Sequence, residues 1–128
     1  MVDENFSDIL EIDHKILSRN ILDRMHWAAK MKLKNLYRIL IRNKMKLNKI
    51  NSIDDYAKIQ IEVYNKRLMD IDNVWGGLKP FIDALRHEKY IHDDSPKYLD
   101  IEVKQIKSKN YKIITRRKYA VQSAIHKT

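Results

Sequence analysis

The chain has 128 residues, 44% of them hydrophobic, and a formal net charge of +9 at pH 7. That length supports one domain with one modest core, no apolar run approaches the ~20 residues that span a bilayer, and the absence of cysteine excludes disulfide and thiolate–zinc frameworks. Lys and Arg number 26 against 17 Asp and Glu, an excess that suits a polyanionic partner such as nucleic acid. The layout sharpens this. No acidic residue lies between Arg24 and Lys49 or from Val103 to the end, so the carboxylates sit between two basic arms and in the first 23 residues. The first five residues lack the basic-then-apolar order of a signal peptide, and a cytoplasmic location is expected.

Residues 6–13 are expected to form a short first strand, although the adjacent Ile9 and Leu10 break strict alternation. Residues 14–25 fit no clean period and read as a loop leading into a helix. From about Trp27 to Met45, Ala29, Leu33, Leu36, Tyr37, Leu40 and Ile41 recur at spacings of three and four, one face of an amphipathic helix. Lys30, Lys34, Arg38 and Arg42 repeat every four residues beside it. That stripe reads either as a solvated face or as a set of phosphate contacts, which position a protein on nucleic acid without reading sequence.

Lys46 to Asp55 is polar and reads as a loop. Residues 58–64 then alternate cleanly, with Ile59, Ile61 and Val63 predicted to face a core. Val74 to His87 reads as a helix burying Val74, Leu78, Phe81, Ile82 and Leu85. Gly76-Gly77 and Pro80 disturb its first half, and because proline sits comfortably only in a first turn, regular helix is expected from about Lys79. Residues 98–106 and 111–115, split by Lys107-Ser108-Lys109-Asn110, read as a hairpin, and the basic tail 116–128 as a further helix. Trp27 and Trp75 are expected in the core, and the scattered His26, His87 and His92 as surface or capping residues. This order predicts a single α+β domain over residues 1–128, a small mixed β-sheet with two main helices packed on it.

The 67–94 stretch holds six of the 17 acidic residues. Asp70 and Asp72 are two apart, and in an extended segment both would point to one side. Asp93 and Asp94 follow after the helix, which can return the chain towards the end of the preceding strand. Converging carboxylates repel one another, and a hard divalent cation relieves the repulsion. Mg²⁺ binds through one or two carboxylates and keeps several waters, which suits phosphodiester hydrolysis. Lys79, four residues before Asp83 on one helical face, would stabilise the same phosphate or the leaving oxygen. On spacing alone, Asp93-Asp94-Ser95-Pro96 is also a natural turn and Asp72 a natural helix-start residue.

Asp70-Ile71-Asp72-Asn73, then Lys79, then Asp83-Ala84-Leu85, then Asp93-Asp94 resembles the motif of the RusA-like family of Holliday-junction resolvases. Looser likeness extends to Ser18-Arg19-Asn20, to the helix after Met25-His26-Trp27 and to the closing strands. The resemblance implies a Mg²⁺-dependent endodeoxyribonuclease, with Mn²⁺ substituting, that acts as a homodimer on four-way or other branched DNA in recombination and repair, in a bacterial or phage setting. It implies Asp70, Asp72 and Asp94 as metal ligands, Asp93 as an auxiliary one, Lys79 as catalytic, and Asp83 and Asn73 as supporting residues. Gly76-Gly77-Leu78 lengthens the segment between Asn73 and Lys79 relative to the shorter family form, and the Pro-rich N-terminal loop of the best-known members is missing. The alternatives are a non-catalytic basic nucleic-acid-binding protein, or the same chemistry on a different structured nucleic acid.

Overall fold

Odd-numbered residues from Ala57 to Asn65 are buried and even-numbered ones half-exposed, the two-residue period of a strand with one face on a core. In the computed structural model, which describes residues 6–119, the elements run β1 (Ser7–Ile12), α1 (Arg19–Arg24), α2 (Trp27–Leu47), β2 (Ala57–Asn65), α3 (Ile71–His87), β3 (Leu99–Lys107) and β4 (Lys112–Tyr119). The strands form one mixed sheet in the order β1-β4-β2-β3, parallel between β2 and β3 and antiparallel at the other two junctions. The fold is therefore the expected α+β class, with three helices on the sheet. No helix among the described residues is long and apolar enough to cross a membrane.

Ile59, Ile61 and Val63 of β2 lie beside Thr115 and Ile113 of β4 and meet Val74, Leu78, Phe81 and Leu85 of α3 in a single core. Tyr37 and Ile41 bring α2 into the same core, the Tyr37 ring standing edge-on to Phe81 at 5.4 Å. In β1, Leu10 and Ile12 are buried while Ile9 is exposed. The break in alternation is absorbed by a register shift between Ser7 and Leu10, where Asp8 adopts a positive φ of 48°.

Four sequence expectations are corrected. β3 and β4 are not a hairpin: both pair with β2, on opposite sides, and the link 108–111 passes over the end of β2, tied by Ser108 N–H donating to Asn65 O at 2.8 Å. Period-two burial makes β2 the better inner strand, and α3 supplies the crossover that a parallel β2–β3 pair requires. Residues 116–119 belong to β4 rather than to a helical tail; residues 120–128 lie outside the described residues. Arg117 is fully buried there, bonded to Asp8 at 2.7 Å and to the carbonyls of Tyr90 and Asn51 at 2.7 and 2.9 Å.

α3 begins at Ile71, not near Lys79, and carries Pro80 in its interior. Pro80 cannot donate to the Gly76 carbonyl, yet the helix continues because residues on both sides of the proline are buried: Val74, Gly77 and Leu78 before it, Phe81, Ile82 and Leu85 after it. The two glycines have their own reason. A Cβ at Gly77 would overlap the Leu17 carbonyl oxygen, and one at Gly76 would meet the Arg19 side chain at 2.6 Å, so the chain entering α1 crosses α3 at this point. Last, Trp27 is 72% exposed: no residue of α2 before Tyr37 is buried, and the first turns of the helix project past the core.

Candidate active site

The chain leaves β2 at Asn65 and reaches α3 through residues 66–70, a segment held by one side chain. Gln105 on β3 accepts from Met69 N–H and donates to Met69 O, both at 2.8 Å. The clamp fixes where α3 starts. Asp70 is its N-cap residue, with Val74 N–H donating to the Asp70 carbonyl at 3.0 Å, but its carboxylate makes no capping bond. Asp72 stands in the first turn, where the positive end of the helix favours a carboxylate. Because the chain is helical from Ile71, the extended geometry expected for Asp70 and Asp72 does not hold. Two positions apart on a helix, side chains diverge by about 200°.

Asp72 faces a cavity of about 520 Å³ that is also lined by Trp75, Lys79, Asp83, Asp94 and Arg19. Asp72, Trp75, Lys79 and Asp83 are separated by three or four residues each, a single face of α3. Asp94 arrives from the segment after α3, Arg19 from the first residue of α1, and Ile101 of β3 closes the floor. Three carboxylates and two cations thus share one wall system. Asp70 is not among its lining residues. Nor is Asp93, whose Oδ1 accepts Asp94 N–H at 2.8 Å; that bond holds its carboxyl below the usual range. Asn73 Oδ1 accepts Asn20 N–H at 3.2 Å, tying α1 to α3 beside the cavity.

Among the described residues, no three His, Asp or Glu side chains are close enough together to hold a metal ion. The donors facing the cavity are nevertheless all hard carboxylate oxygens, and Mg²⁺ commonly takes one or two of these with substrate phosphate and water completing its shell. Asp72 and Asp94 suit that mode of binding; an all-protein cage is not assembled.

The basic stripe of α2 divides. Arg38 and Arg42 both bond to Glu88 at the end of α3, at 2.9 and 2.8 Å, and the Glu88 side chain is only 9% exposed. Lys30 and Lys34 are half-buried on the α2 side, away from the cavity's lining. His87, near Lys34, Arg86 and Arg38, is pushed below the ordinary imidazole value first by partial desolvation and then by those cations. His26 caps α2 by accepting Ala28 N–H at 3.2 Å, and His92 packs edge-on to Tyr98 at 4.6 Å.

Two lining residues escaped the sequence reading. Trp75 was expected in the core but is 38% exposed at the cavity, and its place on the Asp72–Lys79 helical face was the signal. Arg19, within the loosely matching Ser18-Arg19-Asn20 segment but not expected at the site, is brought in by the crossing at Gly76, a long-range contact. Comparison of the chain with protein-family models, with curated proteins and with solved structures finds no match.

Proposed function

We propose that the protein is a Mg²⁺-dependent endodeoxyribonuclease of the RusA-like kind, acting on branched DNA. The observation carrying this reading is that Asp72, Lys79, Asp83 and Asp94, separated by up to 22 positions, line one cavity. Asp72 and Asp94 would hold the metal, with Asp70 at the adjoining helix cap. When bound, Mg²⁺ supplies an acidified water and offsets charge on the scissile phosphate. The Lys79 ammonium balances charge building on the phosphate or the departing oxygen. Asp83, one turn along the same helical face, and Arg19 add a carboxylate and a second cation to the same wall.

A second reading, a non-catalytic nucleic-acid-binding protein, is favoured by the lack of a three-ligand group among the described residues. The two are separated by incubating a labelled four-way junction with wild type and Asp72→Asn, with Mg²⁺ or with chelator. The nuclease reading expects metal-dependent paired nicks from wild type and a loss of about 10²-fold or more in Asp72→Asn, the size typical of losing a group that stabilises the transition state. Junction binding without nicks from either protein would sink it.

A further inference from the structure

Half of the α2 stripe, Arg38 and Arg42, is paired with Glu88. β2 and β3 run parallel, so Asn65 and its partner Lys107 end side by side, and the link 108–111 crosses over them. Lys66, Lys107, Ser108 and Lys109 line a cavity of about 520 Å³ there, and no carboxylate lines it. Four arginines of the basic arms are engaged elsewhere: Arg38 and Arg42 with Glu88, Arg116 with Glu62, Arg117 with Asp8. Lys66, Lys107 and Lys109 are exposed, and no carboxylate among the described residues pairs with them. Three like charges gathered without a counter-ion repel one another, and an external anion relieves the repulsion.

Next to this cavity stands Tyr111, 38% exposed, with the ammonium of Lys66 at 5.4 Å and that of Lys15 at 5.5 Å from its ring centre. Contacts of this kind at exposed sites are weak enough to exchange for a stacked base and a phosphate. Beyond Tyr111 a groove of about 710 Å³ carries Glu11 and Asp13 beside Lys15 and Lys112, so its charges are mixed where those of the lysine cavity are all positive. The site also lies close to the acidic motif. Lys66 and Asp70 are four residues apart, so their Cα atoms are within about 14 Å even for a fully extended segment.

We propose that Lys66, Lys107, Ser108 and Lys109 form the seat for the DNA backbone, with Tyr111 beside them as a stacking face for an unpaired base. The inference deepens the nuclease reading and rests on it for the choice of DNA. A strand held here is delivered along residues 66–70 to Asp70 and the cavity of Asp72.

The test is fluorescence anisotropy with labelled duplex and gapped DNA in chelator, so that binding is read without cleavage. The combined Lys66→Ala, Lys107→Ala and Lys109→Ala variant should bind duplex at least about tenfold more weakly, and the slope of log affinity against log salt should fall by about 2–3. Tyr111→Leu should weaken gapped DNA about fivefold or more while leaving duplex binding nearly unchanged. All four positions are exposed, and circular dichroism checks that the variants remain folded. Unchanged affinity and slope in the triple variant, with the loss appearing instead in Lys30→Ala/Lys34→Ala, would overturn the inference. So would a wild type with no affinity for DNA. A wild type that binds DNA through the three lysines but never cleaves it removes the nuclease reading alone.

Discussion

Gly77 is the residue whose identity the packing constrains most tightly. Its α-carbon lies against the Leu17 carbonyl, and any Cβ would have to push that backbone away, not a flexible side-chain end. Gly76 differs in degree: a Cβ there would meet the Cβ, Cγ and Cδ of Arg19 at 2.6 Å, a shallower overlap with side-chain atoms that is relieved by a small shift at the start of α1. Gly77→Ala should therefore destabilise the fold by about 2–3 kcal/mol, as overpacking against fixed neighbours does, whereas Gly76→Ala should cost less and instead displace Arg19 from the cavity. Urea denaturation of both variants checks the order. Equal midpoints would mean that the Leu17 segment yields freely. Arg117 shows the other kind of residue-scale constraint. A wholly buried guanidinium is tolerable because Asp8 neutralises it, two carbonyls accept from it, and the Tyr90 ring faces it at 4.6 Å.

At the scale of elements, α2 and α3 are clasped at one end by Glu88, which receives Arg38 and Arg42. The hydrogen bond from Arg42 is the largest influence holding the Glu88 carboxyl below its ordinary value of 4.5, with partial desolvation working against it. A carboxyl whose pKa is lowered by folding adds stability that is complete above its unfolded value and fades as pH falls through the lower, folded one. Glu88→Gln should cost about 1–2 kcal/mol at neutral pH, since both arginines are partly in solvent. The gap between the two proteins should narrow below about pH 4, because the wild-type clasp is then protonated away. Thermal melts across that range test it, and a gap independent of pH would show that the clasp contributes shape rather than charge.

Local periodicity decides which parts of the fold are legible in the sequence. Ile59, Ile61 and Val63, and the α3 set from Val74 to Leu85, obey a local period that burial then matches. Asp72, Lys79 and Asp83 fall on one helical face for the same reason. What failed was non-local. The partner of β3 is β2, set by the crossover and not by the short 108–111 link, and Pro80 is overruled by the burial on either side of it. Asp70 departs from Asp72 because the chain turns helical at Ile71, just after Met69 is clamped by Gln105, 36 residues further on.

At the scale of the whole molecule, the question is how one small domain would resolve a four-way junction. Paired nicks on symmetric strands need two cavities of the Asp72 kind facing two strands, and each chain brings one such constellation among its described residues. The nuclease reading therefore requires two copies. That reading would seat the second copy on α2, whose first turns project past the core with Trp27 and Met31 exposed one turn apart on one side of the helix. Exposed apolar side chains gathered on one element mark an association surface more often than large hydrophobics scattered singly. Light scattering should give twice the 15.4 kDa of one chain, and Trp27→Ser with Met31→Ser should return the single-chain mass. The same variant should convert paired nicks into independent single nicks while keeping the metal-dependent chemistry, because neither residue lines the cavity. A single-chain mass for wild type at the concentrations that cleave would remove symmetric resolution and leave a nuclease acting on one strand at a time.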